Sequence, residues 1–243
     1  MDIKGKLALV TGSAKRVGRG IVLTLAAEGA DVIIHYLTSR DAAEQTAAEA
    51  RRHGVQAVTM QADLADPVQI ERLFGEIRSR FGRLDILVNN ASVYDRTPIQ
   101  TLTAEQWDRQ MQTNVRGPAL CTRYAAELMQ GRGGVIVNIT DIAATRPRGD
   151  WHAYCASKAA LLALTKSTAK ALAGQGIRVN CVSPGVAAWP EDMDPLLKQK
   201  ILSQIPLGQP GTPEDIAQAV LFLVKHDYVT GEELRIDGGW ILK

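Results

Sequence analysis

Seven short runs rich in aliphatic and β-branched residues recur along the chain, with stretches of helical periodicity between them. This alternation constrains the fold more than any other feature. The runs cover residues 6–10, 32–36, 57–61, 86–89, 135–139, 178–182 and 233–236. Several are apolar throughout rather than alternating, the pattern expected when helices cover both faces of a parallel sheet. Helices are predicted over 18–28, 40–53, 67–81, 104–129, 154–173 and 213–224, the fourth interrupted near Gly117-Pro118. Gly29, Gly54 and Gly82 follow three of them as stop signals, and Thr212 precedes the last as a cap. Strict βαβα order predicts a single α/β domain over 1–243, a doubly wound, Rossmann-like parallel sheet of about seven strands with right-handed crossovers. The least regular stretch, 186–211, holds prolines at 190, 195, 206 and 210 and reads as a lid over a cleft.

The first strand runs into Thr11-Gly12-Ser13-Ala14-Lys15-Arg16-Val17-Gly18-Arg19-Gly20. Glycine there permits positive φ and close approach of backbone to a ligand. The helix that follows turns free N–H groups and the positive end of its dipole toward a pyrophosphate. A site for NAD usually shows an acid at the end of the second strand. Here that segment is His35-Tyr36-Leu37-Thr38-Ser39-Arg40, with no acid before Asp41. Lys15 and Arg16 project from the turn, and Ser39 with Arg40 adds a hydroxyl and a cation. These groups suit the 2′-phosphate of NADPH.

Tyr154 and Lys158 share a helix face, being four residues apart. A neighbouring ammonium is expected to lower the phenol's pKa and ready it for proton exchange. Asp141 stands thirteen positions before the tyrosine, just after the fifth strand. An ionised carboxylate there would raise the phenol's pKa and repel an alkoxide. A protonated one, or one accepting an N–H, would suit a nitrogen heterocycle. A strand-end cap is the plainer role for the same residue.

The bulk properties exclude other classes. Lysine plus arginine number 28 against 26 acids, a net charge of +2, with no basic run to bind nucleic acid. No apolar run approaches the roughly 20 residues that span a bilayer. Cys121, Cys155 and Cys181 are odd in number and widely spaced, and the four histidines lack metal-ligand spacing, so neither disulfides nor a metal is expected. A cytoplasmic protein acting on a small molecule is the expectation.

Taken together, the motifs resemble those of the short-chain dehydrogenases/reductases over essentially the whole chain. They are the glycine turn, Asp63-Leu64, Asn89-Asn90-Ala91, Asn114, Tyr154 with Lys158, Pro184-Gly185 and Ile236-Asp237-Gly238-Gly239. The resemblance implies an NADPH site formed by Gly12, Lys15, Arg16, Val17, Gly18, His35, Ser39, Arg40, Asp63, Leu64, Asn90, Ala91, Ser92, Tyr154, Lys158, Pro184 and Gly185. It implies catalysis by Tyr154, Lys158 and Asn114, the last holding a water in a proton relay, with Asp141 as a fourth catalytic residue at the position usually held by serine. It also implies a homodimer or homotetramer built partly through the helices that carry Asn114 and Tyr154.

Three departures from the common pattern bear on substrate. Arg16 replaces the middle glycine of the turn, Ser92 follows Asn89-Asn90-Ala91 where glycine is common, and Asp141 stands in place of a serine. They resemble the pteridine reductase branch, which implies an NADPH-dependent enzyme reducing a pteridine or related C=N heterocycle. The substrate would contact Arg16, Ser92, Tyr94, Asp141 and Tyr154, with Tyr94 stacked on the ring. Thr38 departs from that branch, which favours a basic residue. One alternative is a carbonyl reductase, such as one for 3-oxoacyl thioesters. Another is an NADPH-sensing protein without turnover. Selectivity would lie in 93–98, 146–152 and 186–211, with Asp150, Trp151 and Trp189 as further candidates for the pocket.

Overall fold

The computed structural model describes residues 1–189 and 193–243, so Pro190 of the expected lid lies outside the described residues. The elements follow in the order β1 (Leu7–Val10), α1 (Arg16–Ala27), β2 (Asp31–Tyr36), α2 (Arg40–Arg51), β3 (Ala57–Gln61), α3 (Pro67–Phe81), β4 (Ile86–Asn89), α4 (Ala104–Met111), α5 (Gly117–Met129), β5 (Gly134–Ile139), α6 (His152–Leu172), β6 (Ile177–Pro184), α7 (Pro195–Leu202), α8 (Pro213–Lys225) and β7 (Glu233–Ile236). The strands pair parallel throughout, in the order β3-β2-β1-β4-β5-β6-β7.

Strands β1 to β6 each feed two cores. In β5, Val135, Val137 and Ile139 join the core under α1, α2 and α8, while Ile136 points to the core under α3 and α5. This period-2 division explains why several strands are apolar rather than alternating along their buried length. Fully buried Ile, Leu and Val side chains such as Ile33, Ile34, Ile86 and Leu87 contribute roughly 1.5–3 kcal/mol each.

Three boundaries differ from expectation in ways that matter for the site. Helix α1 starts at Arg16, two residues before the expected start, and a Cβ on Gly20 inside it would lie 3.2 Å from the Pro213 carbonyl. Gly20 therefore serves the packing of α1 on α8 rather than the ligand turn. The break between α4 and α5 is a π-turn over Gln112–Arg116, in which the Gly117 N–H reaches back to the Gln112 carbonyl. Pro118 has no N–H to give the Asn114 carbonyl, so the α-helical ladder cannot continue there. The expected lid contains a helix, α7, and its Ile201, Leu202 and Ile205 pack with Ile142 and Trp240. On α6, Leu164 and Leu172 are half-buried rather than buried like Leu161.

Candidate active site

Chain order reverses between β1's two neighbours, β2 and β4, and this opens a crevice at the carboxyl ends of the strands. A cavity of about 630 Å³ lies there, within the range of small-molecule sites. Its walls include Gly12, Lys15, Arg16, Val17, Gly18, His35, Asp63, Leu64, Asn90, Ala91, Ser92, Tyr94, Asp141, Tyr154, Lys158, Pro184 and Gly185. Of the predicted site residues, Ser39, Arg40 and Asn114 are not among the described lining residues. Ser39 precedes α2 and the exposed Arg40 opens it, so the start of that helix carries both away from the cavity. Asn114 is buried one layer behind it.

The glycine turn is closed by sterics. A Cβ on Gly12, whose φ is +62°, would lie 2.9 Å from the Ala91 Cα, and one on Gly18 would lie 2.5 Å from the Asn90 Nδ2. Arg16 holds φ +54° in the same turn, the left-handed region where glycine is the usual occupant. That conformation costs roughly 1–2 kcal/mol for a residue with a side chain. Thr11 and Asn90 fasten β1 to β4: the Asn90 and Ala91 N–H groups donate to Thr11 Oγ1 at 2.9 and 3.0 Å. Sequence reasoning passed over Thr11 as a positioning residue.

His35 stands at the back of the turn. The Gly12 N–H donates to its Nδ1 at 3.0 Å, which leaves Nε2 as the donor to the Ala62 carbonyl at 3.1 Å. Burial outweighs the acceptors around it and pushes its pKa down to about 4. A neutral imidazole thus ties the turn to the end of β3.

The residues present fit a dinucleotide. Lys15 puts no side-chain cap on α1, whereas Asp66, Thr103 and Thr212 cap α3, α4 and α8 with their own oxygens. The first N–H groups of α1 therefore remain for a phosphate, between Lys15 and Arg16.

At the other end of the cavity, β5 delivers Asp141 and α6 delivers Tyr154 and Lys158. The Tyr154 hydroxyl donates to Asp141 Oδ2 at 2.8 Å, and Asp141 Oδ1 accepts the Ala143 N–H at 2.8 Å. One oxygen thus caps the turn after β5, and the other is the partner of the phenol. Burial, then the Asp141 charge and hydrogen bond, hold the Tyr154 pKa well above the ordinary phenol value. The expected lowering by Lys158 does not prevail. Its Nζ donates to the Ile139 carbonyl at 2.9 Å and sits 5.6 Å from the phenol ring centroid. Burial brings the lysine itself down to about 8, with Asp141 opposing.

Asn114 is held by four contacts. Its Nδ2 donates to the Val93 carbonyl at 2.9 Å and to Ser157 Oγ at 3.0 Å. Its Oδ1 accepts the Val93 N–H and the Ser92 hydroxyl. The side chain is thus fully used in joining the loop after β4 to α6. Ser157, three residues beyond Tyr154, also donates to the Tyr154 carbonyl at 2.7 Å and was not singled out from sequence.

Tyr94 is 46% exposed and meets Tyr154 edge-on, with ring centroids 4.6 Å apart. It also stacks on Trp151 at 5.7 Å, so one of its faces is already covered. Arg148 Nη1 donates to its hydroxyl at 2.8 Å. Asp150 lies on the outer rim, paired with Arg96, and neither Trp151 nor Trp189 is among the described lining residues.

A sequence profile described as enoyl-(acyl carrier protein) reductase matches residues 12–241. The chain belongs to the short-chain dehydrogenase/reductase family. It is 36% identical over 239 residues to the 3-oxoacyl-(acyl-carrier-protein) reductase FabG of Staphylococcus aureus, a match covering 96% of this chain and 97% of that one. Among solved structures it resembles a blue fluorescent protein from a metagenomic library in complex with NADPH. That likeness has a TM-score of 0.93 at 35% identity and covers 99% of both chains. It also resembles the angucycline C-6 ketoreductase LanV with bound NADP, with a TM-score of 0.93 at 32% identity, covering 100% of this chain and 98% of that one.

Proposed function

We propose that this short-chain oxidoreductase is an NADPH-dependent reductase that gives a proton from Tyr154 to a polarised double bond. The observation that carries the direction of the reaction is the hydrogen bond from Tyr154 to Asp141. Oxidation of an alcohol calls on the phenol as a base, and here burial and the adjacent carboxylate suppress the phenolate. Reduction calls on the protonated phenol, which is the form this environment favours. When bound, NADPH supplies the hydride from C4 of its nicotinamide. Gly12, Gly18 and the start of α1 hold its pyrophosphate, Lys15 and Arg16 neutralise its phosphates, and Lys158 reaches its nicotinamide ribose. Asn114, fixed by Val93 and Ser157, ties the turn between α4 and α5 and the loop after β4 to α6 behind that lysine. The retained Asn114, Tyr154 and Lys158 give no support to a sensing protein without turnover.

Two substrate classes fit this reading. The relatives' names favour a carbonyl compound, such as a 3-oxoacyl thioester. A specific observation favours a second, a pteridine or related C=N heterocycle: Asp141 presents a carboxyl oxygen beside the proton donor, where a substrate N–H can bond to it. The test measures NADPH oxidation with an acetoacetyl thioester and with a dihydropterin, in the wild type and in Asp141→Ser. Thioester turnover that survives the substitution supports the carbonyl class. Dihydropterin turnover that falls by about 10²-fold in the variant supports the heterocycle, on the usual scale of a lost proton-handling group. Wild-type protein that turns over neither overturns the reading. Replacing Lys15 and Arg16 with alanine is expected to raise the KM for NADPH far more than that for NADH, and equal effects would remove the cofactor preference.

A further inference from the structure

We propose that Arg148 is a positioning residue for the Tyr154–Asp141 pair, acting through Tyr94 and held from behind by Trp240 near the C-terminus. The inference rests on the reading of Tyr154 as proton donor.

Four contacts run in series. Trp240 is buried, and its indole N–H donates to Gln204 Oε1 at 3.3 Å, which fixes the ring plane. The Arg148 guanidinium lies 5.2 Å from that ring's centroid, and the Arg146 guanidinium lies 5.3 Å from it. Arg148 Nη1 then donates to the Tyr94 hydroxyl at 2.8 Å. Tyr94 in turn sets its ring perpendicular to Tyr154, at an interplanar angle of 85°. Trp151, stacked on Tyr94, blocks the swing that would break this arrangement.

Arg148 is half-buried and forms no ion pair among the described residues, although partial desolvation of an arginine is costly. The nearby Asp141 charge, the bond to Tyr94 and the cation–π contact with Trp240 offset that cost. The groups that face Tyr154 are Asp141 from the end of β5, Lys158 and Cys155 from α6, Tyr94 from the loop after β4, and Arg148 from the loop before α6. Asp141 and Tyr94 strengthen the hold of Tyr154 on its proton and Arg148 weakens it, so the arginine moderates the carboxylate beside it. It does so without lining the cavity, at the rim formed by the two latched loops.

The test uses the full chain with isotope-labelled tyrosine, its Cζ resonances assigned with Tyr94→Phe and Tyr154→Phe. In Arg148→Met the Tyr154 resonance is expected to move together with that of Tyr94. In Arg148→Lys, which keeps the charge, the Tyr154 resonance returns most of the way. With whichever substrate the wild type reduces, Arg148→Met is expected to lower kcat about tenfold with KM within about twofold. Tyr94→Phe added to Arg148→Met should cost less than about twofold more, because the arginine acts through that hydroxyl. Trp240→Leu is expected to reproduce the loss in part. A Tyr154 resonance that stays in place in Arg148→Met overturns the proposal. So does an equal loss of kcat and thermal stability in the Met and Lys variants, which marks a merely structural residue. A wild type with no turnover would sink the reductase reading alone, because the resonances are read without substrate.

Discussion

At the glycine-turn end of the cleft the wall is backbone, and at the opposite end it is side chains borrowed from distant loops. A Cβ on Gly12 would press on the Ala91 Cα, and one on Gly18 would meet the Asn90 side chain. That end is specified by what is absent, a side chain, and it tolerates almost no change. At the other end, Tyr94 is placed by Arg148 and Trp151, residues more than fifty positions later in the chain. Each contact there is worth little alone, and the arrangement depends on several being made together. The contrast teaches that the two halves of the cleft fail differently: the first through sterics and stability, the second through geometry and proton handling.

The largest expected effect separates chemistry from binding. Tyr154→Phe removes the proposed proton donor and the bond to Asp141 while leaving the glycine turn untouched. Turnover is expected to fall by about 10³-fold, within the range for general acid–base groups. Fluorescence titration is expected to show NADPH affinity within about threefold of wild type. A large loss of affinity would mean that the two ends are coupled and break the comparison.

Gly18→Ala probes the backbone wall. Overpacking costs typically about 1–3 kcal/mol, and here the crowding falls on the turn itself. Chemical denaturation is expected to show that loss, accompanied by weaker NADPH binding. Gly75 makes the control, since its Cβ would meet open space on α3. Gly75→Ala is expected to stabilise by about 0.5–1 kcal/mol, the ordinary helix-propensity gain. Two glycine substitutions of equal size should thus differ in sign.

The turn also has an acid limit. His35 is held neutral by burial, with its pKa near 4 against 6.5 when exposed. A depressed folded-state value means that the unfolded chain takes up the proton first. Stability from this group is therefore complete above pH 6.5 and declines as pH falls toward 4. At pH 5 the loss amounts to about 2 kcal/mol by proton linkage. Urea unfolding at pH 7 and pH 5 is expected to show that slope in the wild type and a shallower one in His35→Asn. Parallel slopes would remove His35 as the turn's acid-labile tie.

Much of this was legible beforehand because local rules produce it. The strands announce themselves by unbroken apolar runs, the glycine turn by its place after β1, and the Tyr154–Lys158 face by helical spacing. Even the meeting of Asp141 with Tyr154 followed from matching the order of motifs to a family. What stayed hidden were consequences of three-dimensional aim. Ser39 and Arg40 sit close in sequence to the end of β2, yet the start of α2 carries them outside the cavity. The influence of Lys158 on Tyr154 was overestimated because spacing says nothing of desolvation, which dominates both groups. Arg148 was covered only by the broad 146–152 stretch and Trp240 gave no signal, because neither belongs to a motif. Their partners are reached only when the sheet brings the loops after β4 and β5 together.

The smallest effect tests the latch between those loops. Arg96 pairs with Asp150 at 2.5 Å and lies over the Trp151 ring at 6.0 Å, but both charged side chains are largely exposed. Exposed pairs typically contribute under about 1 kcal/mol and are screened by salt. Backbone contacts also hold the same loops: the Thr97 N–H donates to the Asp150 carbonyl at 2.7 Å, and the Ala153 N–H donates to Thr97 Oγ1 at 3.2 Å. Arg96→Ala should therefore change stability by no more than about 0.5 kcal/mol. It should nonetheless loosen Trp151 behind Tyr94 and raise the substrate KM about two- to fourfold at unchanged NADPH affinity, about 0.4–0.8 kcal/mol at 1.4 kcal/mol per decade. Added salt should reproduce the same rise in the wild type and have no further effect in the variant. A variant as salt-sensitive as the wild type would show that the backbone bridge alone carries the substrate wall, making it as rigid as the glycine turn opposite.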